Sequence, residues 1–236
     1  TLVMFLSDNG GCAEFLNEDG DPNRWPGHFA HTARPGETCR VGNLEGIMPG
    51  PATTFMSYDL PWANASNTPF RMYKHWVHEG GIATPLVCRW PARVAPGGLC
   101  RRPSHVLDIM ATCLDAAGAA YPSEFQGRPV QPLEGESFLP ALCGRGPDVR
   151  DRPLFWEHEG NRAMLDPAGQ WKLVSRTVES SNGPWELYDL ETDRTELDDR
   201  AGREPGRVRN MAAAYTDWAA RCGVLALRDG RLIQET

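Results

Sequence analysis

The sequence predicts an α/β domain followed by a smaller α+β module, and three observations carry that prediction. Two short apolar runs, residues 2–6 and 85–90, each border a polar, glycine-containing turn. The second run leads through a turn into an amphipathic helical pattern, the strand–turn–helix rhythm of α/β chains. Later in the chain the pattern changes to short strands separated by turn signals and closed by one helix. The change falls in the Pro/Gly-rich connection 121–152, and the predicted division is 1–147 and 148–236.

The chain has 236 residues, 41% of them hydrophobic, enough for a sizeable core in one large or two small domains. A net charge of −7 argues against a general nucleic-acid binder, because phosphate backbones recruit basic surfaces. No run of about 18 apolar residues exists, so no membrane span is expected. The first residue is Thr1 rather than Met, and it leads straight into a strand pattern, so an upstream segment is expected. Seven cysteines are scattered without a CxxC pair, which shows no zinc ribbon or redox motif. Cys88, Cys113 and Cys222 stand at apolar positions and read as buried free thiols; a surface disulfide involving Cys12 is the alternative.

Residues 2–6 read as a strand covered on both faces, as in a parallel sheet. Ser7-Asp8-Asn9-Gly10-Gly11 ends it. In a regular strand Asp8 and Asn9 would point to opposite faces, and the two glycines permit the turn that lets them converge. A carboxylate and an amide carbonyl are hard oxygen donors suited to Ca²⁺ or Mg²⁺, but the same residues are also ordinary turn formers. Both readings stand at this level. Residues 14–67 form a long stretch with little periodicity, rich in Gly, Pro, Asn and Asp. Its aromatics Phe15, Trp25, Phe29, Phe55, Tyr58 and Trp62 predict an ordered loop that lines something. His28 and His31 stand three apart within it, with no helical pattern around them to make a metal pair.

The stretch 70–91, FRMYKHWVHEGGIATPLVCRWP, concentrates the chemistry. Lys74 offers a point charge for an oxyanion, and His75 and His78 can carry protons near neutral pH. Each is also readable alone as a surface lysine or a satisfied polar residue. The combination is what points to a site at the carboxyl end of the first strand, where ligands bind in open parallel sheets. After the second strand, Ser104 is expected to cap a helix with the apolar stripe Val106, Ile109, Met110, Cys113, Leu114 and Ala117. Asp108 and Asp115 are its expected wet side, and Gly118 its stop. Residues 153–158, 171–176 and 185–190 predict three strands, with 162–165 a further short one. A terminal helix is expected over 205–222, with Val208, Met211, Ala212, Tyr215, Trp218 and Ala219 as its apolar stripe.

SDNGG after an apolar strand, then ANASNTPFRMYKHWVHEGGIATPLVCRWPARV, resembles the sulfatase family, in particular bacterial arylsulfatases. LFWEHEGNRA, GQWKLV and WELYDLETDRTEL resemble the carboxyl-terminal subdomain of the same enzymes, so the resemblance covers essentially the whole chain. It implies a partial alkaline-phosphatase-like α/β sheet with a smaller C-terminal α+β subdomain of antiparallel strands and a terminal helix. It also implies Ca²⁺-assisted hydrolysis of sulfate esters. Asp8 and Asn9 match metal ligands of the family, and Lys74 matches a lysine that contacts the substrate sulfate. His75 and His78 are candidate substrate-binding residues through their nearness to Lys74 alone. Glu79-Gly80-Gly81 matches a structural turn.

One departure from the family is plain. Its formylglycine nucleophile is made from the Cys or Ser of a Cys/Ser-x-Pro-x-Arg motif, and no such string occurs in this sequence. The first acidic metal ligands of the family are absent as well. The resemblance is therefore to the carboxyl-terminal half of a sulfatase, and the implied partners are the amino-terminal half and an aryl sulfate or sulfated glycan. Such a fragment is expected to be inactive alone. Periplasmic or secreted location is implied by the family. The competing classes are a phosphoester or phosphonate hydrolase of the same superfamily and a non-catalytic anion-binding module.

Overall fold

The computed structural model describes residues 1–15, 36–178, 181–228 and 231–233. In chain order, strand β1 (Val3–Leu6) is followed by the short strands β2 (Arg40–Val41) and β3 (Thr54–Phe55), helices α1 (Asp59–Asn67) and α2 (Glu79–Ile82), and strand β4 (Leu86–Arg89). Helix α3 (Leu107–Ala117), the hairpin of β5 (Glu124–Phe125) and β6 (Arg128–Pro129), and helix α4 (Leu139–Leu142) come next. Strands β7 (Leu154–His158), β8 (Asn161–Leu165), β9 (Trp171–Ser175), β10 (Thr177–Val178), β11 (Ser181–Asn182) and β12 (Glu186–Asp189) lead to helix α5 (Pro205–Cys222). A last hairpin joins β13 (Ala226–Arg228) and β14 (Arg231–Ile233). Two compact units result: Thr1–Asp8 with Thr84–Thr236, and Asn9–Ala83.

In the first unit an antiparallel sheet in the order β12-β9-β8-β7 carries α5. Strands β7 and β8 are joined through Glu159 and Gly160, both left-handed at φ 51° and 84°, the geometry that matches hairpin twist. Asp166 shapes the next turn by accepting the amides of Gln170 and Trp171 at 2.8 and 3.1 Å. Met164, Leu173 and Leu187 from the sheet close on Met211 of the helix. Phe155 stacks on Trp218 with the rings 5.1 Å apart. The expected stripe of α5 is thus the stripe that packs, and Gly223 ends the helix at φ 68°. Strand β9 is buried along most of its length, and its Lys172 pairs at 2.9 Å with Glu196, both side chains being fully buried.

Strand β1 pairs with β4 antiparallel, not in the parallel arrangement expected. This brings the carboxyl end of β1 to the amino end of β4, where the Thr84 hydroxyl donates to the Ser7 carbonyl at 2.8 Å. Nor is the pair covered on both faces: Phe5 and its cross-strand partner Val87 are 74% and 61% exposed, and Val3 is exposed beside them.

Helix α3 differs from expectation in three ways. Ser104 does not cap it; its hydroxyl turns back to the Arg102 carbonyl. Val106, Leu107 and Met110 are exposed, whereas Asp108, Ala111 and Thr112 form the buried face. Asp108, the expected wet residue, has no exposed surface. It receives the His105 amide and the Glu136 amide, each at 2.8 Å, and a two-pronged Arg150 guanidinium. A buried carboxylate survives ionised when its oxygens are met this way. Glu136 extends the network by accepting Arg102 at 2.8 Å and the amides of Asp151 and Arg152.

All seven cysteines are free thiols, Cys12 among them. Cys39 is buried; Cys113 and Cys222, expected inside, are exposed because the side of α3 bearing Cys113 faces outward and Cys222 is the last residue of α5. Among the described residues no helix is long and apolar enough to cross a membrane.

Candidate anion-binding turn

The second unit is built around a contact between two backbones. The Gly10 amide donates to the Gly81 carbonyl at 2.9 Å. A Cβ at position 10 would fall 1.8 Å from the Gly80 carbonyl oxygen, and one at position 80 would fall 2.1 Å from the Met72 carbonyl oxygen. Only glycine lets these segments approach so closely. The EGG triplet is therefore structural: it forms α2 with Glu79 and both glycines buried.

Three further hydrogen bonds tie the Asn9–Gly11 turn to the segment carrying Lys74. The Gly11 amide donates to Asn67 Oδ1 at 2.9 Å, Asn67 Nδ2 donates to the Met72 carbonyl at 3.2 Å, and the Lys74 amide donates to the Gly11 carbonyl at 3.0 Å. The Gly80 amide adds a bond to the Arg71 carbonyl at 2.8 Å. Two non-glycine residues on either side of Lys74 are left-handed, Met72 at φ 70° and His75 at φ 93°. Such conformations cost on the order of 1–3 kcal/mol each and persist where surrounding contacts over-determine them, commonly at ligand sites.

The turn presents one ammonium group. Lys74 is 42% exposed, with Nζ 3.7 Å from Glu14 Oε1 and 4.0 Å from Cys12 Sγ. The chain holds only two lysines, and the other, Lys172, is the buried partner of Glu196. Lys74 is thus a point charge in a chain that otherwise uses arginine. His75 is partly buried, its ring edge-on to Trp76 with centroids 4.8 Å apart. His78 is fully buried at the residue preceding α2, an interior position. His28, His31, Trp25 and Phe29 lie outside the described residues, while Phe15, Phe55, Tyr58 and Trp62 are exposed.

Asp8 is exposed directly after β1, and Asn9 is half-buried as the next residue of the chain. Their oxygens have the hardness Ca²⁺ favours. The cation takes about six to eight oxygens, and these two side chains carry about three, so they could supply only part of a shell. Sequence reasoning missed Asn67, which bridges Gly11 and Met72. It also missed α1, whose Pro, Asn and Ser content is poor helix material and whose buried residue is Ala63 alone.

Residues 70–206 match the sequence pattern of the family described as N-sulphoglucosamine sulphohydrolase, C-terminal. The chain is 29% identical over 231 residues to an uncharacterized sulfatase of Schizosaccharomyces pombe, covering 97% of this chain and 39% of that protein. It is 32% identical over 128 residues to the N-acetylgalactosamine-6-sulfatase of Canis lupus familiaris, covering 54% of this chain and 22% of that protein. The crystal structure of Ps i-CgsB shares the fold, with a TM-score of 0.54 at 24% identity over 72% of this chain and 35% of the other. The chain spans well under half the length of these relatives.

Proposed function

The chain belongs to the sulfatase family, and on that premise we propose that it supplies Lys74, Asp8 and Asn9 to the active site of a sulfuric ester hydrolase. The observation that carries the proposal is the over-determined turn that holds Lys74 against the Asn9–Gly11 segment between two strained residues. A sulfate ester is an anion that repels an incoming nucleophile. Lys74 would hold a sulfate oxygen and neutralise charge as it grows in the transition state. Asp8 and Asn9 would hold part of a Ca²⁺ shell, and the bound cation would polarise the same sulfate oxygens as a Lewis acid. The two glycine contacts fix the backbone from which Lys74 projects, so its side chain starts from one place on the turn.

The substrate class we propose is a sulfated sugar, with simple aryl sulfates as usable surrogates. The support is the name of the dog relative, which specifies a sugar sulfate. Within this reading residues 1–147 are part of the catalytic domain and 148–236 its small carboxyl-terminal subdomain. The remaining metal ligands and the nucleophile, a formylglycine, come from outside these residues. The exposed apolar face of Val3, Phe5 and Val87 supports this, since unpaired faces of that kind are normally covered. Export from the cytoplasm belongs to the same proposal.

The test is Lys74→Ala in the longest polypeptide that the gene encodes, assayed on an aryl sulfate and on sulfated amino sugars. Loss of one such charge should cost roughly 3–4 kcal/mol of barrier, a 10²–10³-fold fall in kcat. Because the Lys74 side chain is partly exposed, the urea midpoint should not move. Unchanged turnover in the variant would remove Lys74 from the reaction.

A further inference from the structure

We infer that Glu14 is a positioning residue for Lys74 and a resident competitor for the anion that Lys74 binds. The inference rests on the proposed role of Lys74 and adds what sets its affinity. The Lys74 ammonium leans back along the segment that follows the Asn9–Gly11 turn, meeting Cys12 Sγ at 4.0 Å and the Glu14 carboxylate at 3.7 Å. Cys12 is a free thiol and a weak acceptor, so Glu14 supplies the formal counter-charge. The contact is a surface pair, with Glu14 72% exposed, and pairs of that kind are weak enough to be displaced. A sulfate group approaching the same ammonium meets a like charge at close range until the Glu14 side chain swings away. The carboxylate therefore keeps Lys74 oriented when the site is empty and lowers its affinity for oxyanions. A charge about 5 Å away in a largely aqueous setting is worth roughly two- to fivefold in binding.

The lysine count makes this directly measurable. The 236-residue chain labelled with ¹³C-lysine shows two side-chain spin systems, and the exposed one is Lys74. Inorganic sulfate is titrated at constant ionic strength, set with chloride, into the wild-type chain, Glu14→Gln, Glu14→Asp and Lys74→Arg. The backbone spectrum serves as the folding control. In the wild type the Lys74 Cε signal should move with sulfate. In Glu14→Gln the midpoint should fall two- to fivefold. Glu14→Asp should restore the wild-type midpoint in part, which a purely structural role would not do. Equal sulfate midpoints in wild type and Glu14→Gln, with Lys74 still responding, would overturn the inference and leave the proposed function standing. A Lys74 signal that ignores sulfate in every form that keeps it would overturn both.

Discussion

The Gly10 amide donates to the Gly81 carbonyl at 2.9 Å, and this bond brings the turn after the first strand onto the EGG segment. Everything proposed for Lys74 depends on that approach. Its backbone is placed by main-chain contacts, since its own amide bonds the Gly11 carbonyl.

The glycines should therefore be intolerant of a single methyl group. In Gly80→Ala the new Cβ would meet the Met72 carbonyl oxygen at 2.1 Å, and backbone cannot yield as a side-chain tip can. The expected loss is about 3 kcal/mol or more, read as a lowered urea midpoint with loss of dispersed signals for the Lys74 turn. Gly98→Ala, with nothing within 4 Å, should stay within about 0.5 kcal/mol.

Calcium binding by these residues alone should be weak. With two neighbouring donor residues, calorimetry should give a Kd no tighter than about 10⁻³ M, and Asp8→Ala should abolish the remaining heat. Micromolar binding would mean that the shell closes within this chain, and the need for outside ligands would disappear.

Acid should weaken the anchor of α3. Burial alone would push the Asp108 carboxyl up, but the Arg150 guanidinium and the amides of Glu136 and His105 bring it below its ordinary value of 3.8. A depressed carboxylate contributes stability that is complete above its unfolded value and is lost as pH falls through the folded one. Wild-type stability should therefore decline below about pH 4, and Asp108→Asn should flatten the decline. The same change should cost about 3–5 kcal/mol at neutral pH by leaving Arg150 buried without its partner. Denaturant midpoints measured from pH 3 to 7 give both numbers.

Tyr215 offers the opposite case. Its ring is buried among Phe155, Trp185 and Trp218, yet its hydroxyl finds no partner among the described residues. Burial pushes the phenol pKa far up, so the group stays neutral. Tyr215→Phe should be neutral or stabilising by up to about 1 kcal/mol, because an unsatisfied polar atom leaves the core. Tyr215→Ala should cost about 3–5 kcal/mol through the cavity it opens. A clear penalty for the Phe variant in thermal unfolding would reveal a hidden acceptor for the hydroxyl.

Local pattern made much of the fold legible. Strands β7, β8, β9 and β12 and helix α5 stand close to where alternation, turn residues and helical spacing place them, because their signals lie within a few residues. The family could be read from SDNGG and the EGG stretch, whose spacing is a property of the chain itself. What no stretch could show is which distant group meets which. Asp108 looks like a solvated helix residue until Arg150, forty-two positions on, is folded against it. The apolar stripe of α3 was visible, but not that Val106, Met110 and Cys113 in it would face outward, since periodicity marks a face and packing selects its partner. Antiparallel pairing of β1 with β4 and the bridge made by Asn67 were likewise decided by long-range contact. The sequence by itself determined the residue types that can bind an anion; the tertiary structure decided that the lysine would be held on a strained turn by glycines remote in the chain.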